Sequence, residues 1–246
     1  MKKLFQITGE YWQLMLMVFK KPEKKSVFWK QFWVESQKLI IGSIPLLIVI
    51  SLAVGGVIVL QTANNLENPF IPKYYVGVMA RESLVLEFCS TMIALILAGK
   101  MGSNIASEIG SMRITEQIDA IEVMGVNSAN YLILPKICSA TLFSPGLMLL
   151  SFILGLLGGG IVVALTGIIT LAQYTDGLQF AFNEWYIFYS MIKMAVFCFI
   201  ITSIASYYGY NAKGGALGVG RSSTQAIVVS STLILIFDLI LTKLLI

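Results

Sequence analysis

Leu39-Ile-Ile-Gly-Ser-Ile-Pro-Leu-Leu-Ile-Val-Ile-Ser-Leu-Ala-Val-Gly-Gly-Val-Ile-Val-Leu-Gln-Thr62 decides the class of fold. It runs 24 residues without a charged side chain, and about 20 apolar residues suffice to cross the hydrocarbon core of a bilayer. Lipid offers the backbone no hydrogen-bond partner, so such a segment must be helical. Ile137–Leu165, Ile187–Tyr210 and Thr224–Leu245 read the same way. The first of these, at 29 residues, is expected to tilt or bend, with Pro145 available to break it. A fifth stretch, Leu84–Ala98, has only 15 residues and contains Glu87. It spans only if extended to Met79–Ser107, which draws Arg81, Glu82 and Lys100 into its ends. The expectation is an all-α membrane protein with five transmembrane helices.

Composition agrees. Of 246 residues, 57% are hydrophobic and 12% charged, against about 25% charged in a soluble domain. There is no histidine, which removes Ser-His and Cys-His nucleophile pairs and the usual imidazole metal ligand. Cys89, Cys138 and Cys198 lie far apart in apolar runs without ligand spacing and read as small buried hydrophobes. A lipid-modifying membrane enzyme would have only isolated carboxylates to work with. A secondary carrier would show paired inverted repeats and interrupted helices, and no repeat relates the two halves of this chain.

Residues 1–38 form a cytoplasmic or interfacial region ahead of a membrane domain over 39–246. They do not read as a signal peptide, because the apolar run Leu14–Phe19 is short and is followed by Lys20-Lys21-Pro22. Phe28, Trp29, Phe32 and Trp33 recur at helical spacing beside Lys30, Glu35 and Lys38. Such a helix lies in the headgroup layer and then turns into the first span. Trp12, Trp29, Trp33 and Trp185 all fall at or outside span ends, as an interfacial belt requires. With the N-terminus inside, 13 of the 17 Lys and Arg side chains fall on the inner face, and Lys73, Arg81 and Lys243 on the outer one. This bias sets the N-terminus in the cytoplasm and the C-terminus outside.

Charges within spans cost about 2.5–3.5 kcal/mol on insertion scales, so each calls for a reason. Arg81, Glu82 and Glu87 open the second span at its outer end. Lys193 falls about 9 Å below the outer interface, and Asp238 lies in the outer third of the last span. One reading is a hydrated, outward-open cavity that holds a lipid headgroup. The other is that Arg81 and Glu82 sit at the interface while Lys193 and Asp238 pair as structural glue or snorkel outwards. On the inner face, Arg113-Ile-Thr-Glu-Gln-Ile-Asp-Ala-Ile-Glu-Val-Met-Gly125 predicts a short helix. Thr115 is positioned to cap it, Glu116 suits the positive end of its dipole, and Gly125 suits its close. Ile114, Ile118, Ile121 and Met124 form an apolar stripe beside an acidic one of Glu116, Asp119 and Glu122. An acidic helix does not suit an anionic leaflet. It suits a basic, partly apolar cleft on a protein partner, or else it is a solvated connector. Gly215-Ala-Leu-Gly-Val-Gly-Arg-Ser222 imitates a phosphate-binding loop, but Arg221 replaces the essential Lys and no strand precedes it. Gly155, Gly158, Gly159 and Gly160 offer a small-residue face for close helix packing.

Ala98-Gly-Lys-Met-Gly-Ser103, with Glu108-Ile-Gly-Ser-Met-Arg-Ile-Thr-Glu-Gln-Ile-Asp-Ala-Ile-Glu-Val-Met-Gly125, resembles the MlaE (YrbE) family of permeases. These are membrane subunits of the ABC transporters that work with MCE proteins in lipid transport. Tyr207-Tyr-Gly209, Lys213-Gly-Gly-Ala-Leu-Gly-Val-Gly-Arg-Ser-Ser-Thr224, Phe237-Asp238-Leu239 and Thr242 resemble the same family's C-terminal signature. The two blocks cover about a third of the chain. The resemblance implies a bacterial inner-membrane homodimer with an interfacial helix and five spans per copy. It also implies a cytoplasmic ABC ATPase that binds ATP and magnesium, so this chain would hold no cofactor, and a periplasmic MCE-domain ring. A small accessory cytoplasmic subunit belongs to the same expectation. Thr115–Met124 would be the coupling helix, and Arg81, Glu82 and Lys193 would line the phospholipid cavity, with Glu87 and Asp238 as cavity or structural charges. The chain reads Arg81-Glu-Ser-Leu-Val85 where the family has Arg-Glu-Leu-Gly-Pro, so no proline is present to bend the second span there. Lys100 stands where Arg is usual, which keeps the charge without the planar fork.

Overall fold

The computed structural model describes residues 2–20, 24–66, 70 and 72–245. Lys21 and Pro22, used above against a signal peptide, lie outside them. Among the described residues the secondary structure is entirely helical, and five stretches are long and apolar enough to cross a membrane.

The first 20 residues contain a helix that the hydropathy pattern does not announce, α1 (Lys2–Val18). Leu14, Met15 and Val18 are buried while Trp12, Leu16, Met17 and Phe19 are exposed. The Tyr11 hydroxyl donates to Ser203 Oγ at 3.0 Å, and Tyr207 donates to Glu10 at 3.1 Å. The carbonyls at the end of α1 lack helical partners. Side-chain amides supply them: Asn127 donates to Met17 O, and Asn130 to Val18 O and Lys20 O.

Helix α2 (Lys25–Leu39) buries Phe32 and Leu39 and exposes Trp29 and Trp33. A 3-10 turn at Ile41–Ser43 leads into the first spanning helix, α3 (Ile44–Asn65), with Pro45 in its first turn, where a missing N–H is harmless. The second crossing is Tyr75–Ile114, longer at both ends than the sequence estimate. It comprises α4 (Tyr75–Ser83), a π-wound stretch (Leu84–Met92), α5 (Ile93–Leu97), a second π stretch (Ala98–Gly102) and α6 (Ser103–Ile114). The wide winding begins at Leu84, inside the segment where the family pattern places Gly-Pro. A change of winding takes the place of a proline bend.

After the short α7 (Gln117–Val123), α8 runs unbroken over Ser128–Thr166. Its 39 residues make a rod about 58 Å long, well beyond a hydrocarbon core of about 30 Å. Pro145 does not break it, contrary to expectation. Proline removes the N–H that would bond Thr141 O, and the Ser144 hydroxyl donates to that carbonyl at 3.2 Å. The chain closes with α9 (Leu171–Gln179), capped reciprocally by Thr170 and Gln173, then α10 (Trp185–Tyr210) and α11 (Gly215–Leu245).

The glycine face of α8 packs as expected. A Cβ on Gly158 would lie 2.1 Å from Leu52 O, and one on Gly55 would lie 1.9 Å from Gly155 O. Helices α3 and α8 therefore meet backbone to backbone, with Ser51 and Ser151 sharing a 2.8 Å hydrogen bond beside the seam. A second seam joins α4 to α9: a Cβ on Gly177 would stand 2.1 Å from Tyr74 O.

Candidate functional site

Among the described residues ion pairs gather at four places, and only the first lies deep within the spans near the α9 end. Lys193 sits eight residues into α10 and Asp238 seven before the end of α11, so each is about 10–12 Å along its helix. The Lys193 side chain is fully buried. Its Nζ lies 2.5 Å from Asp238 Oδ1 and 3.2 Å from both Glu87 oxygens, and donates to Leu86 O at 3.2 Å and Thr242 Oγ1 at 3.4 Å. Thr91 Oγ1 lies 3.1 Å from Glu87 Oε2 and 2.9 Å from Asp238 Oδ1, one hydroxyl between two carboxylates. Tyr189 shares a 2.8 Å hydrogen bond with Thr242 and lies under the ammonium. A buried ammonium is tolerated only when it is paired and hydrogen-bonded, and this one is held by three helices. Glu87, with 45% of its side chain exposed, is the member that faces outward. The π winding at Leu84–Met92 carries it, and Leu86 O is the carbonyl that accepts from Lys193.

Arg81 belongs to a separate group. Its guanidinium donates to Leu178 O at 2.8 Å and Phe180 O at 2.9 Å, stacks over Phe182, and reaches Glu82 at 3.4 Å. The side chain is 3% exposed. Those two carbonyls lie at the C-terminal end of α9, where a helix leaves acceptors unpaired. Arg81 therefore clamps α9 onto α4, while Glu82 stays 41% exposed. The structure unites Lys193 with Asp238 and Glu87, and places Arg81 and Glu82 in a different group.

At the opposite end of the bundle, α7 is two residues shorter at its start than the sequence reading. Thr115 does not cap it. Its hydroxyl turns back to donate to Ser111 O at 2.8 Å, closing α6, and Glu116 takes the N-cap position with φ +59°. Ile118 is fully buried and seats the helix, whereas Met124 and Val123 are 71% and 88% exposed. Ile114 is exposed and Ile121 half-buried. The acidic stripe is unequal. Asp119 pairs with Arg113 at 2.6 Å, and Glu122 accepts from Ser128 at 2.7 Å and Tyr210 at 2.8 Å. Those two hydrogen bonds hold the Glu122 carboxyl below its ordinary value of 4.5. The Glu116 side chain is exposed, with no ion pair among the described residues.

The fourth group was not expected. Lys136 is 2% exposed and bonds Glu35 of α2 at 2.6 Å and Glu108 of α6 at 2.9 Å, with Lys38 2.7 Å from the same Glu108 oxygen. In the sequence Lys136 counted only as an inner-face charge; its burial depends on two distant carboxylates that no local pattern relates to it.

The family model described as Permease MlaE matches residues 32–244. This chain belongs to the MlaE permease family. A "Probable ABC transporter permease protein" of Rickettsia bellii is 34% identical over 217 residues, covering 85% of this chain and 81% of its own length. A protein of Synechocystis with the same description is 34% identical over 194 residues, covering 77% of this chain and 72% of its own. The Arabidopsis thaliana chloroplastic protein Trigalactosyldiacylglycerol 1 is 29% identical over 220 residues, 89% of this chain and 63% of its own length.

As a multi-pass membrane permease of the MlaE family, the chain carries charge inside its spans in a form that sequence depth alone half revealed. Counting from span ends placed Lys193 and Asp238 at one depth. Thr91, Tyr189 and Leu86 O were missed, since a hydroxyl or a carbonyl in an apolar run carries no mark until its partner is known. Thr242 stood out only through the family signature.

Proposed function

We propose that this MlaE permease is the membrane subunit of an ATP-driven phospholipid transporter of the bacterial inner membrane. It works as a homodimer with a cytoplasmic ABC ATPase, which binds ATP and magnesium, and a periplasmic MCE-domain protein. A small accessory cytoplasmic subunit is part of the same assembly. The lipid moves between the inner membrane and the MCE protein, toward or from the outer membrane. The observation that carries the reading is the Lys193–Glu87–Asp238 cluster inside the spans, with a half-exposed carboxylate. Family membership and a relative named for a glycolipid support it.

An incoming headgroup first meets Glu87 and Glu82, the exposed members of the two outer groups. A zwitterionic headgroup suits that arrangement: its ammonium faces a carboxylate, and its phosphate draws on Lys193 as the lysine gives up one acid partner. Thr115–Met124 is the element proposed to couple to the ATPase. With Asp119 and Glu122 engaged within the chain, Glu116 and the exposed Val123 and Met124 are the groups free for a partner's cleft. Motion of α7 enters the bundle through α6, which continues into the second span, and through α8.

The test is purification in mild detergent with mass spectrometry of the associated proteins and lipids, followed by ATP-dependent lipid transfer in proteoliposomes. The reading expects an ATPase and an MCE protein to co-purify, and Lys193→Ala to abolish transfer while the ATPase remains bound. A solitary protein that moves an amphipathic substrate without ATP would overturn it in favour of a secondary carrier.

A further inference from the structure

Near the α7 end a cleft of about 730 Å3 opens between residues at the end of α1 and the start of α2 and those of the α7–α8 corner. Lys20, Lys24, Val27 and Phe28 line one side, and Met124 and Tyr131 contribute to the other. Its size is that of a small-molecule site. No carboxylate is among its described lining residues, and neither lysine makes an ion pair with a described residue. Lys25, Lys30 and Lys213 near this end are likewise without an ion pair among the described residues, so what distinguishes Lys20 and Lys24 is that both line one cleft. The cleft is not a slack gap. Asn127 and Asn130, which also line it, hold its rear wall by bonding the last carbonyls of α1.

Its setting is the headgroup layer. Trp29 and Trp33 on α2 and Trp12, Leu16 and Phe19 on or just after α1, the two helices that contribute to it, are exposed, as in the aromatic and apolar skirt of a membrane interface. Two ammonium groups with no ion pair among the described residues, beside Val27, Phe28 and Met124, join a cationic mouth to an apolar wall. That matches one end of a lipid, phosphate next to acyl chain, better than a free phosphate, which has no use for the wall.

We propose that this cleft binds the phosphate headgroup of an anionic phospholipid, at a site separate from the Lys193 cluster. Met124 lines it, so an occupied cleft braces the start of α2 against the end of α7 and makes the position of α7 sensitive to anionic lipid. The proposal rests on the membrane placement of the bundle and does not need the transport reading.

The test uses the full chain in detergent, titrated with dioctanoyl phosphatidylglycerol or dioctanoyl phosphatidylcholine and followed by native mass spectrometry. The expected result is one preferred phosphatidylglycerol per chain. Lys20→Gln combined with Lys24→Gln should weaken it about thirtyfold and leave phosphatidylcholine adducts unchanged. Lys73→Gln, at the other end of the molecule, should leave both unchanged. Equal phosphatidylglycerol affinity in the double variant would overturn the site, as would an equal loss in Lys73→Gln, which would mean diffuse charge attraction. Displacement by inorganic phosphate at matching concentration would replace the lipid with a free anion as the ligand. Co-purification of an ATPase bears on the transport reading alone.

Discussion

Lys193 and Lys136 are buried lysines that solve the same problem with opposite surroundings. Each ammonium touches two carboxylates from different helices, Lys193 deep in the spans and Lys136 beside the interfacial helix. Removing one member of a buried pair costs about 3–5 kcal/mol, whereas replacing the pair with apolar groups is close to neutral. Asp238→Asn is therefore expected to lower the melting temperature clearly in detergent. The double replacement Lys193→Met with Asp238→Leu should recover most of the loss and still fail in lipid transfer. A double variant that transfers lipid normally would make the cluster purely structural. Glycine supplies a second residue-scale case. Gly158→Ala drives a methyl group to within 2.1 Å of Leu52 O, and overpacking of this kind costs about 1–3 kcal/mol. The same exchange at Gly99, where nothing lies within 4 Å, should leave the melting temperature in place.

Among the elements, α7 depends on few contacts. Ile118 is its one fully buried side chain, so Ile118→Ala should cost about 2–5 kcal/mol locally, read as faster amide exchange over 117–123. Met124→Ala should leave exchange unchanged and reduce ATPase co-purification. Glu122 ties the end of the same element to α8 and α10. Its carboxyl titrates below the ordinary value, so the stabilisation is present above that value and lost as pH falls through the lowered one. Amide protection at the α7–α8 corner should therefore fall in that acid range, below pH 4.5. Glu122→Gln should remove that step, with pH-dependent exchange as the measurement. In the second span, the π winding turns the chain through less than 100° per residue, so Lys100 does not fall on the face that a regular helical count from Arg81 gives. A substitution scan of that helix should show its periodicity change phase between Leu84 and Gly102.

For the molecule as a whole, the five crossings and the helical class were legible because lipid leaves the backbone no alternative, and apolar length reports this directly. The glycine face of α8 was legible too, since small residues at helical spacing have one common use in membranes. The lower part of α8, α1 and the winding of the second span were not. The first two take their helicity from packing, and the third depends on which carbonyl each amide finds. The candidate site divided along the same line. Charge depth brought Lys193 and Asp238 to one level, but the separation of Arg81 from them reflects α9, whose carbonyls Arg81 holds and whose fold no charge pattern records. Thr115 was misread because a threonine can close the helix before it as well as open the one after it.

The α3–α8 seam, where main chain touches main chain, bears on how this protein can change over evolutionary time. In an ordinary core, a larger residue at one position is accommodated by a smaller one opposite, and the pair drifts together. At Gly55 and Gly158 the opposite party is a carbonyl that every amino acid carries, so no partner substitution can compensate. Contacts made through side chains can vary by exchange between neighbours, while this seam, like the one between α4 and α9, stays as a fixed reference from which the other helices are measured.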